Sequence, residues 1–365
     1  MQRRILILIT DLEIGGTPTV VRELAVRLHA PPDVVIEVAC LKGWGPVADQ
    51  IRSAGIEVTA LGARRVWQLP AVVRRLRELV RERGIDTVFS FLVHANAVAA
   101  LAARKLPGVR FLHSIQTIQP RPRWHWRVQR WAAARAEQIV APSQAIVEAA
   151  VARCAIERAK FVVIPNAIDP DEFQKVDVFR QGKIRVGYLG RLDPAKLPLI
   201  LIHALAQSHV KEAELHYFGD GPERGRLERI GRQRLKDRVH FHGSVPRPQD
   251  ALGQMDVLWM PSRVEGFGLV VIEAMASGVP VVAFGAGGVS EIVEQGESGL
   301  LVRDLKLPHI QFGRFLKKLQ DDPGLRQRLI ENGLKVVRDR YTWAVVLPRY
   351  RELLQIGIAD PTGKP

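Results

Sequence analysis

The sequence predicts an α/β protein built from two doubly wound parallel-sheet domains, and three observations carry this prediction. The chain has 365 residues, which corresponds to about two domains at roughly 100–200 residues each. Short runs rich in β-branched residues alternate with longer amphipathic segments, a pattern typical of βαβ units. This alternation starts afresh after residue 183, so we expect a second sheet there.

The first domain is predicted over residues 1–167. Its strands are expected at 4–9, 34–40, 56–61, 86–92, 110–115, 138–143 and 161–165, with helices at 17–29, 69–83 and 95–105. In the helix over 69–83, apolar side chains recur at helical spacing and are predicted to face the core. These side chains are Leu69, Val72, Val73, Leu76 and Val80.

The second domain is predicted over residues 168–342, after a linker at 164–173 that holds two prolines and two aspartates. Its strands are expected at 183–190, 214–219, 239–244, 257–262 and 279–285. A last helix over 343–356 is predicted to begin at a cap on Thr342 and to bend at Pro348. Residues 357–365 are predicted to be a flexible tail.

The composition excludes several classes of protein. Hydrophobic residues make up 47% of the chain and charged residues 25%, which argues against disorder, collagen and coiled coil. Cys40 and Cys154 have no metal-ligand spacing, so we expect buried thiols in a reducing compartment, without a disulfide framework or structural zinc. The apolar run over 5–9 is too short for a signal peptide, and no run reaches the roughly 20 residues of a membrane span. A cytoplasmic protein is therefore expected.

The net charge of the chain is unusually positive. Lys and Arg number 53 against 38 Asp and Glu, a net charge of +15, which indicates an anionic partner: nucleic acid, a phosphorylated ligand or an anionic lipid surface. Residues 64–135 alone hold 15 basic and 3 acidic residues. Charge by itself does not select among these partners.

The first candidate for a binding site follows the strand over 183–190. Gly190 ends that strand, Arg191 comes next, and Lys196 stands five residues later. A fixed guanidinium and a mobile ammonium beside a helix start suit a diphosphate. Because ligands of open parallel sheets bind beyond the carboxyl ends of the strands, we expect the site in the cleft between the two domains.

The second candidate follows the strand over 257–262. Glu265 leaves the strand end, and Gly266 and Gly268 permit close approach of the backbone. A helix is expected to begin near Leu269 with its first N–H groups free. Glu273, inside this helix, can reach a hydroxyl group next to the anion. The alternative is that Glu265 caps the loop and Glu273 is a solvated helix residue.

These motifs resemble the retaining nucleotide-sugar glycosyltransferases of family 4, which have the GT-B fold. The resemblance rests on the E-x7-E string EGFGLVVIE and on IPNAID, GRLDPAK, YFGDGPER and VHFHGSV, which occur in the family's order. It spans nearly the whole chain and is densest over 164–302, with Gly15 and Gly16 in the family's N-terminal glycine loop.

The resemblance implies two Rossmann-like domains that face a central cleft, with a C-terminal crossover helix that returns to the first domain. It implies transfer of a sugar from a UDP- or GDP-sugar to a hydroxyl of a cell-envelope, polysaccharide or lipid-linked acceptor, such as lipopolysaccharide. The family retains the anomeric configuration and needs no metal, so neither a metal ion nor a cofactor is expected beside the nucleotide sugar.

The resemblance also implies roles for individual residues. Arg191 and Lys196 would neutralise the donor diphosphate in place of a metal ion, Glu273 would bind the ribose, and Glu265 would bind hydroxyls of the donor sugar. Further donor contacts would come from backbone and loop residues: Gly16 over the diphosphate, amides of Phe267, Gly268 and Leu269 on phosphate or sugar, and Gly243, Ser244 and Val245 at the base.

One position departs from the family pattern. Many relatives carry a histidine at the end of a strand of the first domain, and here Gln116 stands there, with His113 three residues earlier. Strand alternation would point Gln116 and His113 to opposite faces. His94, just before a predicted helix, is the other candidate. The sequence leaves open whether His94 or Gln116 lines the cleft.

The segment 120–135 interleaves tryptophan with arginine, a composition that suits a helix lying on anionic lipid headgroups. Its candidate contacts with a membrane or acceptor are Trp124, Trp126, Arg127, Arg130 and Trp131. This predicts peripheral attachment to the inner face of the cytoplasmic membrane. The alternative is that the tryptophans pack inward and the arginines are only solvated.

Three competing functions are weaker. A dehydrogenase would need G-x-G-x-x-G after a strand, but GDGPERG at 219–225 has one residue too many. A nucleic-acid binder would show an RRM, KH or zinc signature, and none occurs, so no nucleic-acid partner is expected. A sugar-nucleotide epimerase shares the fold and remains the alternative.

Overall fold

The computed structural model describes residues 2–63, 65–118, 124–179 and 182–357. It divides the chain into two units. The residues up to Asn166 and those from Ala344 onward form the first unit, and Ala167–Trp343 form the second. Each unit is built on one sheet in which all strand pairs are parallel. This confirms the predicted α/β class.

The first unit has a seven-stranded sheet in the order β3-β2-β1-β4-β5-β6-β7. The strands are β1 (Arg3–Ile9), β2 (Val34–Cys40), β3 (Val58–Ala60), β4 (Thr87–Phe91), β5 (Arg110–Ser114), β6 (Gln138–Ala141) and β7 (Phe161–Val163). The helices before residue 166 are α1 (Gly16–Leu28), α2 (Pro46–Ser53), α3 (Leu69–Glu82), α4 (Val93–Ala103), α5 (Trp124–Ala133) and α6 (Gln144–Cys154).

Burial explains why apolar runs form these strands. Ile5 to Ile9 of β1 are fully buried, because the central strand of a parallel sheet is covered on both faces. In α3, Val72, Val73, Leu76 and Val80 are buried as predicted. The prediction was wrong for Leu69, which is exposed in the first turn of α3.

The second unit has a six-stranded sheet in the order β10-β9-β8-β11-β12-β13. The strands are β8 (Ile184–Leu189), β9 (Ala213–Phe218), β10 (Val239–Gly243), β11 (Val257–Met260), β12 (Val281–Phe284) and β13 (Leu300–Val302). The helices are α7 (Leu199–Ala206), α8 (Arg224–Leu235), α9 (Pro248–Leu252), α10 (Leu269–Ala276), α11 (Val289–Ile292), α12 (Pro308–Asp321) and α13 (Pro323–Arg340).

The last helix, α14 (Trp343–Leu353), packs with the first unit. The Tyr350 ring is fully buried and lies 6.3 Å from the Phe89 ring of β4. Arg110 of β5 donates to the Leu353 carbonyl at 3.2 Å. The helix ends three residues before the predicted residue 356. Apart from Gly357, the predicted tail lies outside the described residues.

The cysteines and the lengths of the helices also agree with the sequence. Cys40 and Cys154 are buried free thiols, as expected of core residues. Within the part of the chain that the structure describes, every helix is too short or too polar to cross a membrane.

In each sheet, the order in which successive strands are added reverses at one point. In the first unit β4 lies beside β1, on the side away from β2, and in the second unit β11 lies beside β8, on the side away from β9. The crevice beyond the carboxyl ends of such a strand pair is the usual ligand site of a doubly wound sheet. A ligand site is therefore expected in the loops after these four strands.

Candidate functional site

The loop after β8 begins at Gly190, which closely contacts Gly219 in the loop after β9. Gly190 has φ 152° and donates its N–H to the Phe218 carbonyl at 2.9 Å. A Cβ on Gly219, which follows β9, would lie 1.9 Å from the Gly190 carbonyl oxygen. Only glycine at position 219 allows these strand ends to approach so closely.

Asp193 shapes the next turn and was missed by the sequence analysis. Its Oδ1 accepts from the amides of Ala195 at 3.0 Å and Lys196 at 3.2 Å, which caps a 3-10 turn over Pro194–Lys196. The signal was present, because aspartate followed by proline often begins a turn. The capped turn sets the position from which the Lys196 side chain extends.

The structure brings Lys196 and Glu265 together. The Lys196 Nζ donates to the Glu265 Oε2 at 2.6 Å, and both side chains are partly buried. The pair joins the loop after β8 to the loop after β11. Glu265 therefore holds the ammonium in place, and an anionic ligand bound to Lys196 would share it with this carboxylate.

Arg191 is more open than Lys196. Its side chain is 72% exposed, and its Nε lies 3.5 Å from the Asp193 Oδ2. The Arg191 carbonyl accepts a hydrogen bond from the Tyr188 hydroxyl at 2.8 Å. The backbone at Arg191 is thus fixed, while the guanidinium extends into solvent and can reach a ligand.

The loop after β11 is built on a second pair of close glycine contacts. The Gly288 amide donates to the Glu265 carbonyl at 3.0 Å. Gly287 has φ 59°, and a Cβ there would lie 2.1 Å from the same carbonyl oxygen. Gly287 and Gly288 were not among the predicted site residues, although the string GAGG indicates a loop that needs glycine.

This loop leads directly into α10. Gly268 precedes the helix with φ 108° and offers no side-chain cap, and Leu269 is the first helical residue. Gly266 lies two residues before this cap. Phe267 is buried and meets the Tyr341 ring edge to face at 5.5 Å. A helix start with no side-chain cap presents N–H groups and a partial positive charge to a ligand.

Glu273 is buried in α10, with 7% of its surface exposed. Burial raises its pKa to about 7, because a carboxylate removed from water is disfavoured. The alternative interpretation of Glu273 as a solvated helix residue was therefore wrong. A buried acid with a raised pKa is typical of functional sites.

The predicted base-binding segment begins at Gly243, the last residue of β10. The Gly243 carbonyl accepts from the Gly219 amide at 2.6 Å, and Gly243 has φ 76°. Ser244 is exposed, and Val245 packs against the core beneath α10. This loop is thus tied to the loop after β9.

In the first unit, a cavity of about 240 Å³ lies beyond the carboxyl ends of β1, β4 and β5. His94 and Gln116 both line it, so the structure brings together two candidates that the sequence offered as alternatives. His113 is fully buried in β5, and burial together with the charge of Lys160 lowers its pKa to about 3.

The cavity has a charged rim that the sequence analysis missed. Lys42 and Asp11 form an ion pair at 3.2 Å, and both line the cavity. Burial, followed by the charge of Lys42, lowers the pKa of His94, so its imidazole is neutral at pH 7. Both charged residues follow strand ends, at Ile9 and Cys40, and this was the signal for them.

The cavity wall is held by a buried polar network. Gln116 donates to the Ser114 Oγ at 2.7 Å. Asn96 donates to the Ser114 carbonyl at 3.0 Å and to the Gln129 Oε1 at 3.1 Å. Ser90 donates to the Asn96 Oδ1 at 2.7 Å. Because these groups satisfy one another, the network fixes the orientation of the Gln116 amide.

The three tryptophans of α5 differ in exposure. Trp126 is 5% exposed and packs inward, with the Arg153 guanidinium 5.5 Å from its ring, so the prediction of a membrane contact was wrong for this residue. Trp126 instead lines the cavity of the first unit, and its predicted contact with an acceptor stays a prediction. Trp124 and Trp131 are 51% and 37% exposed. Arg127 and Arg130 are also exposed, and the segment over 119–123 lies outside the described residues.

Gly16, the remaining predicted residue, is the exposed first residue of α1. The residue before it, Gly15, provides no side-chain cap. The start of α1 therefore presents backbone amides in the same way as the start of α10.

Comparison with known proteins matches both halves of the chain. The family model for glycosyl transferases group 1 matches residues 183–310, and the model for glycosyltransferase family 4 matches residues 14–172. The alpha-D-kanosaminyltransferase of Streptomyces kanamyceticus is 33% identical over 42% of this chain and 41% of its own length. The D-inositol 3-phosphate glycosyltransferase of Stackebrandtia nassauensis is 28% identical over 77% of this chain and 71% of its own length.

Among solved structures, Anabaena HepE in complex with UDP and glucose has a TM-score of 0.86 and 22% identity, and the match covers 97% of this chain and all of that one. This similarity identifies the fold as GT-B.

Proposed function

Since the chain belongs to the group 1 glycosyltransferases of family 4, we propose that it transfers a sugar from a nucleoside-diphosphate sugar to a hydroxyl of an acceptor. The transfer retains the anomeric configuration and uses no divalent metal ion. The observation that carries this proposal is the Lys196–Glu265 pair, joined at 2.6 Å where β8 and β11 end. It supplies a held cation and a carboxylate at the expected position of a sugar diphosphate.

The diphosphate is stabilised by three groups of this chain. Lys196 and Arg191 supply positive charge, and the start of α10 supplies N–H groups and its partial positive charge. These groups stabilise the charge that develops on the departing diphosphate, which lowers the barrier to an oxocarbenium-like transition state. The leaving phosphate oxygen then takes the proton of the acceptor hydroxyl.

The two glutamates orient the donor. Glu265 accepts hydrogen bonds from hydroxyls of the sugar through the carboxylate oxygen that Lys196 leaves open, and Glu273 accepts from the ribose hydroxyls. The nucleotide is UDP in this proposal, in keeping with the UDP and glucose bound in the HepE structure. The loop over Gly243, Ser244 and Val245 forms the wall beside the base.

The cavity of the first unit accepts the sugar or acceptor hydroxyls. Its volume of about 240 Å³ is below the roughly 300–1,000 Å³ of drug-sized pockets, so it fits about one sugar ring. His94 and Gln116 present polar groups there, and neutral His94 can accept or donate a hydrogen bond. The acceptor is a cell-envelope or lipid-linked glycan, with α5 placed at an anionic membrane surface.

Donor binding is tested first, because it needs no acceptor. UDP, GDP, ADP and UMP are titrated by calorimetry into the wild-type protein and into Lys196→Met. We expect UDP to bind more tightly than UMP, which lacks the second phosphate. In Lys196→Met, the ratio of the UDP affinity to the UMP affinity should fall at least tenfold. A panel in which no nucleoside diphosphate binds would contradict the proposal. Release of UDP that depends on an added acceptor then separates transfer from epimerisation.

Membrane attachment is tested separately by flotation with liposomes. We expect the protein to float with vesicles that contain anionic lipid and to stay in solution with neutral ones. Trp124→Ser combined with Trp131→Ser should reduce flotation, while Trp44→Ser, which removes another exposed tryptophan, should not. A wild-type protein that never floats rules this attachment out.

A further inference from the structure

Outside the candidate functional site, β9 and β10 bring together three side chains that can bind a metal ion. Glu214 and His216 lie two residues apart on β9, so their side chains share one face of the sheet. His240 of β10 is paired in register with His216. One ligand atom from each of the three lies within 4.8 Å of the others.

The distances are close to those of a tetrahedral metal site. Glu214 Oε2 lies 3.9 Å from His216 Nε2 and 3.6 Å from His240 Nε2. Ligands on a zinc ion at about 2.0–2.1 Å stand about 3.3 Å apart. Among the described residues, neither Nε2 atom has a hydrogen-bond partner, although both are buried. Two buried imidazole nitrogens thus lie near one carboxylate oxygen, and neither donates a hydrogen bond to it.

The surrounding groups prepare these atoms as ligands. His216 Nδ1 lies 3.1 Å from His242 Nε2. If Nδ1 carries the proton and donates it to His242, the Nε2 of His216 keeps a lone pair that can bind a metal ion.

Two cations lie near these atoms, and each is paired with a carboxylate. Lys183 donates to the Oε1 of Glu214, which leaves Oε2 for a metal ion. Arg185 binds Asp256 through two nitrogens, at 3.1 and 3.0 Å. Arg185 is therefore neutralised by a carboxylate outside the cluster, whereas Lys183 would share the charge of Glu214 with a bound metal ion.

We propose that Glu214, His216 and His240 bind one zinc ion. Two imidazoles and a carboxylate suit zinc, whereas magnesium and calcium prefer oxygen ligands alone. Because β10 is the edge strand of the sheet, the ion ties this edge to β9 and steadies the strand that ends at Gly243. The three ligands lie within β9 and β10, whereas Lys196 and Glu265 lie in the loops after β8 and β11, so the proposed ion is structural and takes no part in sugar transfer.

The test uses the untagged full-length protein, stripped with a chelator and dialysed. Zinc chloride is titrated by calorimetry, with magnesium chloride as the comparison, and bound zinc is counted by elemental analysis. We expect one zinc per chain, no saturable magnesium binding and a melting temperature that rises with zinc. Absence of saturable zinc binding, or a stoichiometry that varies with the zinc added, would overturn the proposal.

Variants locate the ion. Glu214→Gln and His240→Gln should each weaken zinc binding at least about 100-fold, since loss of an outer partner alone costs about 10–100-fold. His209→Asn, which removes an exposed histidine of the same unit at φ 58°, should bind zinc as the wild type does. His240→Gln changes a partly exposed edge residue and remains informative if Glu214→Gln does not fold. Wild-type affinity in His240→Gln would refute the assignment.

Discussion

Replacement of the buried Glu273 by glutamine is expected to stabilise the protein at high pH while it weakens nucleotide binding. Burial raises the pKa of this carboxyl from 4.5 to about 7. Between these pH values the folded state keeps a proton that the unfolded state releases. The free energy of unfolding of the wild type therefore falls as the pH rises through this window.

The magnitude follows from the same pKa. At about 1.4 kcal/mol per pH unit, a rise from 4.5 to about 7 amounts to about 3 kcal/mol. Glu273→Gln has no charge to bury, so it should match the wild type below pH 4.5 and exceed its stability by up to about 3 kcal/mol at pH 8. Loss of the carboxylate should weaken UDP binding by about 1.5–3 kcal/mol, roughly tenfold to 150-fold.

The assay is urea unfolding at pH 4.5 and pH 8, followed by hydrogen exchange in peptides from β11 and β12, which report on the second unit alone. Glu212→Gln, which changes an exposed carboxyl of the same unit, is the control and should show no such difference between the two pH values. An equal gain at both pH values, or a loss at pH 8, would refute the reasoning. So would unchanged UDP affinity in Glu273→Gln.

Three further substitutions test the site. Lys196→Met should lower kcat by about 10²–10³-fold. It should change the free energy of unfolding by less than about 1 kcal/mol, since a partly exposed ion pair is weak. A near-normal kcat would exclude Lys196 from the reaction. Gly287→Ala should destabilise the protein more than Gly296→Ala in thermal melts, because both have positive φ but only the first lacks room for a Cβ; equal effects would contradict the close contact. His94→Ala should raise the acceptor KM without changing UDP affinity, and an unchanged acceptor KM would remove His94 from the site.

The elements that sequence could predict are those whose signal is local. The apolar run of β1 was predicted at 4–9 and forms Arg3–Ile9, because a strand buried on both faces must be apolar throughout. The family resemblance is confirmed by the matches to both halves of the chain. The positions of Arg191, Lys196 and Glu265 after strands were likewise visible in the sequence.

What depends on tertiary contacts was not predictable. The ion pair between Lys196 and Glu265 joins residues 69 positions apart, and it relies on the turn that Asp193 caps. The helical period of α5 placed its tryptophans around the helix but could not say which face the domain covers. Trp126 lies on the covered face for that reason.

The basic segment over 64–135 is a second case in which tertiary contacts could not be predicted from the sequence. Three arginines of α3 donate hydrogen bonds to backbone carbonyl oxygens. Arg75 donates to that of Leu61 at 2.8 Å, Arg77 to that of Leu101 at 2.6 Å, and Arg81 to that of Lys105 at 3.0 Å. Leu101 lies in the last turn of α4, where unpaired carbonyls attract cations. Part of the positive charge over 64–135 therefore serves the first unit itself, which a charge count cannot distinguish from charge directed at a partner.

The division of the first unit between the two ends of the chain has a consequence for its biosynthesis. A ribosome that has made residues up to Asn166 has made every strand of the first sheet, but α14 emerges only after all of Ala167–Trp343. At about 5–20 residues per second this takes roughly 10 to 35 s. During that interval the surface that later buries Tyr350 stays uncovered, so the nascent first unit is a natural client for a chaperone.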